Sequence, residues 1–124
     1  MKIVIKGRLP GLNEYIAAER TNRHAAAKMK REAQGLVQLQ LRRQIRGKLR
    51  EPVYMRYTWY EPDRRRDKSN ISAYGRKIIE DALVKCGALE NDGWRNIAGF
   101  ADEFAVDKGR PRIEIEILEE YQCT

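Results

Sequence analysis

The chain has 124 residues, a length for one domain with its own core, and 25 Lys and Arg against 18 Asp and Glu leave a net charge of +7. That balance points to a polyanionic partner, nucleic acid before an anionic membrane surface. It comes with no apolar run near the ~18 residues needed to cross a bilayer, and the short stretch Ile3-Val4-Ile5 does not make a signal peptide. The two cysteines, Cys86 and Cys123, stand outside any CxxC or Cys/His pattern, which argues against a disulfide framework and a zinc site. They read as free thiols, and the expectation is a cytoplasmic protein with no membrane partner.

In chain order, residues 2–8 predict a strand with Ile3 and Ile5 on one face, stopped by Pro10-Gly11. A loop is expected from Leu12 to about Arg20. A long helix follows from Thr21 or Asn22, both plausible caps, to Arg46, with Met29, Ala33, Leu36, Val37, Leu41 and Ile45 as its apolar stripe. Its other faces carry Arg23, His24, Lys28, Lys30, Arg31, Arg42 and Arg43, with His24 read as a surface residue. Residues 52–60 alternate as a second strand, Val53, Met55, Tyr57 and Trp59 against Tyr54, Arg56, Thr58 and Tyr60. A second helix runs from about Ile71 to Cys86, capped by Ser69 or Asn70 and stopped by Gly87. The tail predicts a β-hairpin, with arms at about Asn96–Val106 and Ile113–Ile117 around Asp107-Lys108-Gly109. Residues after Leu118 are expected to fray. The order β-α-β-α-β-β predicts one α+β domain over residues 1–124, a mixed four-stranded sheet with two helices on one face.

The stretch that carries chemistry is Glu61-Pro62-Asp63-Arg64-Arg65-Arg66-Asp67-Lys68-Ser69-Asn70. Arginine forks grip phosphates in pairs of hydrogen bonds. A carboxylate beside them can hold magnesium, which takes oxygen ligands and needs only one or two carboxylates. The plain counter-reading is a solvated turn in which Asp63 and Asp67 pair with the arginines. Lys77 and Asp81, four apart on one helix face, form either a surface ion pair or a cation aimed at a phosphate. Asp92, in Asn91-Asp92-Gly93, is either a turn residue or a second metal ligand. Trp59 and Trp94 read as core or dimer aromatics, and Glu114, Glu116, Glu119 and Glu120 as a solvated strand face turned away from the basic surface.

These residues together resemble the RusA family of Holliday junction resolvases, small enzymes of bacteria and their phages. The resemblance rests on Pro62-Asp63-Arg64-Arg65-Arg66-Asp67, Asn70, the block from Lys77-Ile78-Ile79-Glu80-Asp81-Ala82-Leu83 to Gly87, and Asn91-Asp92. Asn13 with Tyr15 after Leu9-Pro10, and Asp107-Lys108-Gly109 before the last strand, extend it loosely over nearly the whole chain. It implies a homodimer that cuts four-way DNA junctions symmetrically with magnesium or manganese. By position it implies Asp67 and Asp92 as metal-binding catalytic carboxylates and Lys77 as the catalytic lysine. Ser69, Asn70 and Asp81 would support the site, and Arg64, Arg65, Arg66, Asn13, Lys28 and Arg31 would contact DNA. One departure stands out: Ser69 occupies the place of the family's second aspartate, so a neutral hydroxyl replaces a charged ligand. Glu61, Asp63, Asp81 or water could fill that place. Otherwise the protein binds junctions without cutting them, or is an RNA-binding or architectural module using its basic helix.

Overall fold

The computed structural model describes residues 1–122; Cys123, read above as a free thiol, lies outside the described residues. The elements run β1 (Lys2–Lys6), α1 (Leu12–Thr21), α2 (Arg23–Gln44), β2 (Val53–Glu61), α3 (Lys68–Lys85), β3 (Ile97–Val106) and β4 (Arg112–Leu118). The expected α+β class and mixed four-stranded sheet are what forms, in the order β1-β4-β2-β3. Alternation places Ile3 and Ile5 of β1, Val53, Met55, Tyr57 and Trp59 of β2, and Ile113, Ile115 and Ile117 of β4 on one buried face. Against it pack Ala33, Val37 and Leu41 of α2 and Ile71, Ile78, Ile79, Ala82 and Leu83 of α3. The other face is a polar ladder in which Glu114 pairs with Lys2 and Arg112, each at 2.7 Å, and Arg56 with Glu116 at 3.7 Å.

The expected hairpin does not exist. β3 pairs in parallel with β2, and β4 lies antiparallel between β1 and β2. The strand with the cleanest apolar alternation takes a central place, where both neighbours help bury its isoleucines, and β3, interrupted by Asp102 and Glu103, takes the edge. The link from Val106 to Arg112 crosses the end of β2, held by the Asp107 N–H donating to the Glu61 carbonyl at 2.8 Å. β2, α3 and β3 thus make a strand-helix-strand crossover, and α3 lies over the seam that the candidate site occupies.

The expected loop after Gly11 is helix α1, which buries none of its residues and rests on α2 and α3 instead of the sheet. The Gly11 N–H donates to Glu14 at 3.2 Å, and Tyr15 packs on Tyr74 with ring centroids 4.4 Å apart. Its apolar signal is thin because only Leu12 and Tyr15 touch the core. Asn22 ends α1 and starts α2: its N–H donates to the Ala18 carbonyl, and its side chain accepts from the N–H groups of His24 and Ala25. Leu36, expected in the α2 stripe, is 63% exposed; Ala26 and Gln34 are buried instead. Residues 119–121 are not frayed: the Glu120 and Tyr121 N–H groups donate to the carbonyls of Arg50 and Pro52, and Tyr121 lies against Tyr54.

α3 starts two to three residues earlier than Ser69 or Asn70 would allow, with Asp67 at its N-cap. Mid-helix, Gly75 lets Trp59 approach: a Cβ there would sit 2.9 Å from Cζ3 and 3.0 Å from Cη2 of the indole. Trp59 cannot swing away, because its Nε1–H donates to Asp102 at 3.0 Å and Asp102 is held by Arg76. Gly75→Ala, which removes a helix-weakening glycine, should nevertheless destabilise the protein by about 1–2 kcal/mol. Urea unfolding should show a lower midpoint with an unchanged slope.

Candidate functional site

Of the residues singled out in the sequence, Asp63, Arg64, Asp67, Ser69 and Asp92 lie along a groove between α3 and the edge strand β3. α3 covers β2, and β3 projects beyond it, so the helix-facing side chains of β3 form a floor: Phe100, Asp102, Phe104 and Val106, in register with Met55, Tyr57, Trp59 and Glu61. Arg76 crosses the middle, its guanidinium 4.0 Å from the Phe100 ring and paired with Asp102.

At the N-terminal end of α3 the groove widens to a cavity of about 870 Å3 whose lining includes Asp63, Arg64, Asp67, Lys68, Ser69, Phe104 and Val106. Two strand and helix ends meet there. Glu61 ends β2 buried, and both of its oxygens accept from Arg66, at 3.1 and 3.2 Å, while Arg8 donates at 2.9 Å. Burial alone would raise the Glu61 carboxyl, but the hydrogen bonds from Arg66 and Arg8 outweigh it and hold it below the usual glutamate range. Arg66 also donates to the Leu9 carbonyl and to Glu14. Of the three arginines expected to grip DNA, Arg66 is therefore an internal strut, whereas Arg64 and Arg65 are exposed, Arg65 lying 3.7 Å from Asp63. Asn70 is a strut too: its Oδ1 accepts the Asn13 N–H at 2.7 Å and pins α1 to α3. Asn13, Lys28 and Arg31 are exposed on the helical side, Lys28 beside Glu32 at 3.9 Å.

Asp67 is exposed and its carboxylate does not cap its own helix. Among the described residues it has no ion-pair partner within reach, although Arg64, Lys68 and the free N–H groups of α3 surround it. Ser69, one residue into the helix, lines the same cavity and is exposed.

Asp92 is elsewhere. It lines a smaller cavity of about 300 Å3 at the other end of the groove, with Glu80, Trp94, Ile97 and Phe100. Lys77 donates to Asp92 at 2.6 Å and lies 3.1 Å from Asp81, so one ammonium joins two carboxylates. Asp81 also accepts from Gln34 and lies 3.6 Å from Lys30, which ties this end to α2. The hydrogen bond to Asp92 raises the Lys77 pKa against a burial penalty, and the same bond lowers Asp92. Lys77 is ten helical residues beyond Asp67, about 15 Å of rise. The structure therefore brings Lys77, Asp81 and Asp92 together and leaves Asp67 with Ser69 apart. Among the described residues no three His, Cys, Asp or Glu side chains gather in a group fit for a metal ion. Of the residues offered as substitutes for the missing aspartate, Glu61 is clamped by two arginines and Asp81 by Lys77; Asp63 also lines the cavity of Asp67 and is held only by Arg65, whose N–H donates to Oδ1 at 3.0 Å and whose guanidinium lies 3.7 Å from Oδ2.

One residue at the site was given no role in the sequence reading. Glu80 faces the Asp92 cavity half-buried; burial raises its pKa, the Lys77 charge opposes this and the Asp92 charge adds to it. Its position three after Lys77 on the helix was the available signal. Trp59 is core, as expected, but Trp94 is 100% exposed. Compared with known proteins, the chain matches no family model and no curated protein. No helix among the described residues is long and apolar enough to cross a membrane.

The Glu61 clamp makes a prediction about acid stability. A carboxylate with a folded pKa below its unfolded value stabilises the protein above the unfolded pKa, near 4.5, and loses that contribution as pH falls through the folded value. Glu61→Gln should lower stability by about 2 kcal/mol at pH 7 and flatten the fall in stability below about pH 4.5. Urea midpoints measured from neutral to acid pH check both.

Proposed function

We propose that this protein is a metal-dependent endonuclease of branched DNA, resolving four-way junctions as a homodimer in the manner that its resemblance to the RusA family implies. The observation that supports this most is Asp67, an exposed carboxylate with no ion-pair partner among the described residues, in a cavity that it shares with Arg64 and Lys68. An acid among phosphate-gripping groups repels the phosphate unless a cation stands between them. Magnesium or manganese, when bound, neutralises charge on phosphoryl oxygens and lowers the pKa of water.

Within one protomer the donors do not converge, so a single chain is assigned no cation-dependent step. Asp67 and Asp92 stand at opposite ends of one groove, and a two-fold axis across that groove would set the Asp67 of each copy beside the Asp92 of the other. Symmetric junctions suit such a dimer, since they offer equivalent phosphates to equivalent subunits. In this reading Arg64, Arg65 and Lys68 hold the backbone, Lys77 holds Asp92 until phosphate arrives and then stabilises its charge, and Arg66, Asn70 and Asp81 keep the framework in place.

A second reading is favoured by two observations: Ser69 supplies no charge, and Lys77 already neutralises Asp92 at 2.6 Å. It is a protein of the same fold that binds branched or structured nucleic acid without cutting it.

Incubating a synthetic four-way junction with the protein and magnesium or manganese separates these. Paired nicking is expected, lost in Asp67→Asn and in Asp92→Asn and raised in Ser69→Asp. Mixing the two inactive variants should restore nicking of one strand, because one of the two intersubunit sites in a mixed dimer is whole. If the wild type binds the junction with steep salt dependence but leaves it uncut with either cation, the non-cleaving reading holds.

A further inference from the structure

Trp94, 100% exposed, stands on a turn that its neighbours hold stiffly. Asn96 Oδ1 accepts the Gly93 N–H at 3.1 Å, and the Asn96 and Ile97 N–H groups both donate to the Gly93 carbonyl at 3.0 Å. The Glu51 carboxylate, just before β2, accepts from the Asn96 amide on one side of the turn and from the Glu90 N–H, at 3.0 Å, on the other. A braced turn therefore carries an indole outward, and the largest of the apolar side chains forgoes burial. Beside it opens the cavity of about 300 Å3 that Trp94 lines together with Phe100, Glu80 and Asp92. Phe100 is 46% exposed even with the Arg76 guanidinium 4.0 Å from its ring centroid. Arg95, next to the indole, is exposed and enters no ion pair among the described residues.

We propose that Trp94 and Phe100 form a stacking platform for one unpaired nucleobase of the bound nucleic acid, and that the stacked base decides which phosphate comes to Lys77. This rests on the reading above in one respect, that nucleic acid occupies the groove, and it supplies a source of selectivity for branched substrate.

Three features select a base. Glu80 and Asp92 repel a phosphate from the cavity, whereas a neutral base enters it and can donate its edge N–H groups to their oxygens. The core of a protein interface is depleted of charged residues, but here the indole has Glu90, Asp92 and Arg95 within four positions along the chain. A flat aromatic surface flanked by a free arginine suits a base with its phosphate alongside. Finally, bases in a linear duplex hide their faces in the stack, and only those at a branch point, in a bulge or in a single strand offer a face to the indole. A duplex arm would then make phosphate contacts alone, and a branch point would add the stacked base. Trp94 follows Asp92 by two residues, and Asp92 is held by Lys77 at 2.6 Å, so the phosphate joined to the stacked base is delivered to that ammonium.

Fluorescence titration of the full chain with a synthetic four-way junction, and with a linear duplex of the same arm sequence, tests this. Calcium replaces magnesium so that binding is read without cutting. The protein has two tryptophans, and Trp59 is buried, so a change on binding reports Trp94. The junction should quench the emission, the duplex should not, and Trp94→Phe, in which only Trp59 emits, should show no quenching while keeping most of the affinity. Trp94→Ala should weaken junction binding about tenfold or more. It should leave duplex binding and the dependence of affinity on salt unchanged, because no phosphate contact is lost; Arg95→Ala should flatten that dependence instead. A junction bound without quenching, or bound as tightly by Trp94→Ala as by the wild type, overturns the platform and leaves the proposed function standing. Equal quenching by the duplex overturns it too, as does a Trp94→Ala protein that sediments as a smaller species with its junction affinity intact, which would make the indole a protein contact. Quenching by a junction that magnesium and manganese never cause to be cut supports the platform and removes the cleavage reading. Failure to bind either DNA overturns both.

Discussion

The clamp on Glu61 is the interaction around which the site is arranged. One carboxylate, buried at the end of β2, accepts from Arg66 and Arg8, and its backbone carbonyl accepts from Asp107. The same guanidinium of Arg66 reaches Leu9 and Glu14. Five pieces of chain therefore converge: β1's exit, the start of α1, the end of β2, the turn into α3, and the crossing to β4. A buried carboxylate without these partners would carry a desolvation cost of several kcal/mol, so the fold holds them together or not at all. That rigidity gives the neighbouring Asp67 a fixed place while leaving its carboxylate free.

The opposite end of α3 is built on different terms. Lys77 satisfies Asp81 and Asp92 together, and Gln34 links Asp81 to Lys85. Gln34 is buried, but the Lys77 ammonium is more than half exposed, so its two ion pairs contribute little to stability. A stiff end whose acid is unpaired among the described residues and a softer end with a paired acid lie at opposite ends of one groove. This asymmetry is the physical ground for the proposed function.

The secondary structure was largely legible. Period-two alternation in β2 and β4 and the isoleucines of α3 each report a face pressed on the core, and Asn22 announces a helix start. The failures share a cause. α1 buries nothing, so it leaves no strong period; Leu36 lies one helical step from the buried face and fills an apolar pattern without being inside. The tail looked like a hairpin because a short polar link between two strands says nothing about which neighbour each strand chooses.

For the site, the sequence by itself determined the chemistry at hand: arginines, an acid and a helix start in one stretch, and a lysine spaced to meet Asp81. Local spacing settles such contacts, since residues four apart on a helix must be neighbours. Only the tertiary structure decided which charges are free. Arg66 and Asn70 look like ligand contacts in the sequence and are internal struts in the fold, because Glu61 and Asn13, distant partners for Asn70 at least, arrive beside them only when β2, α1 and α3 pack. Asp92 found Lys77 rather than Asp67 for the same reason: the straight rise of a helix keeps its two ends apart, and chain order carries no record of that distance.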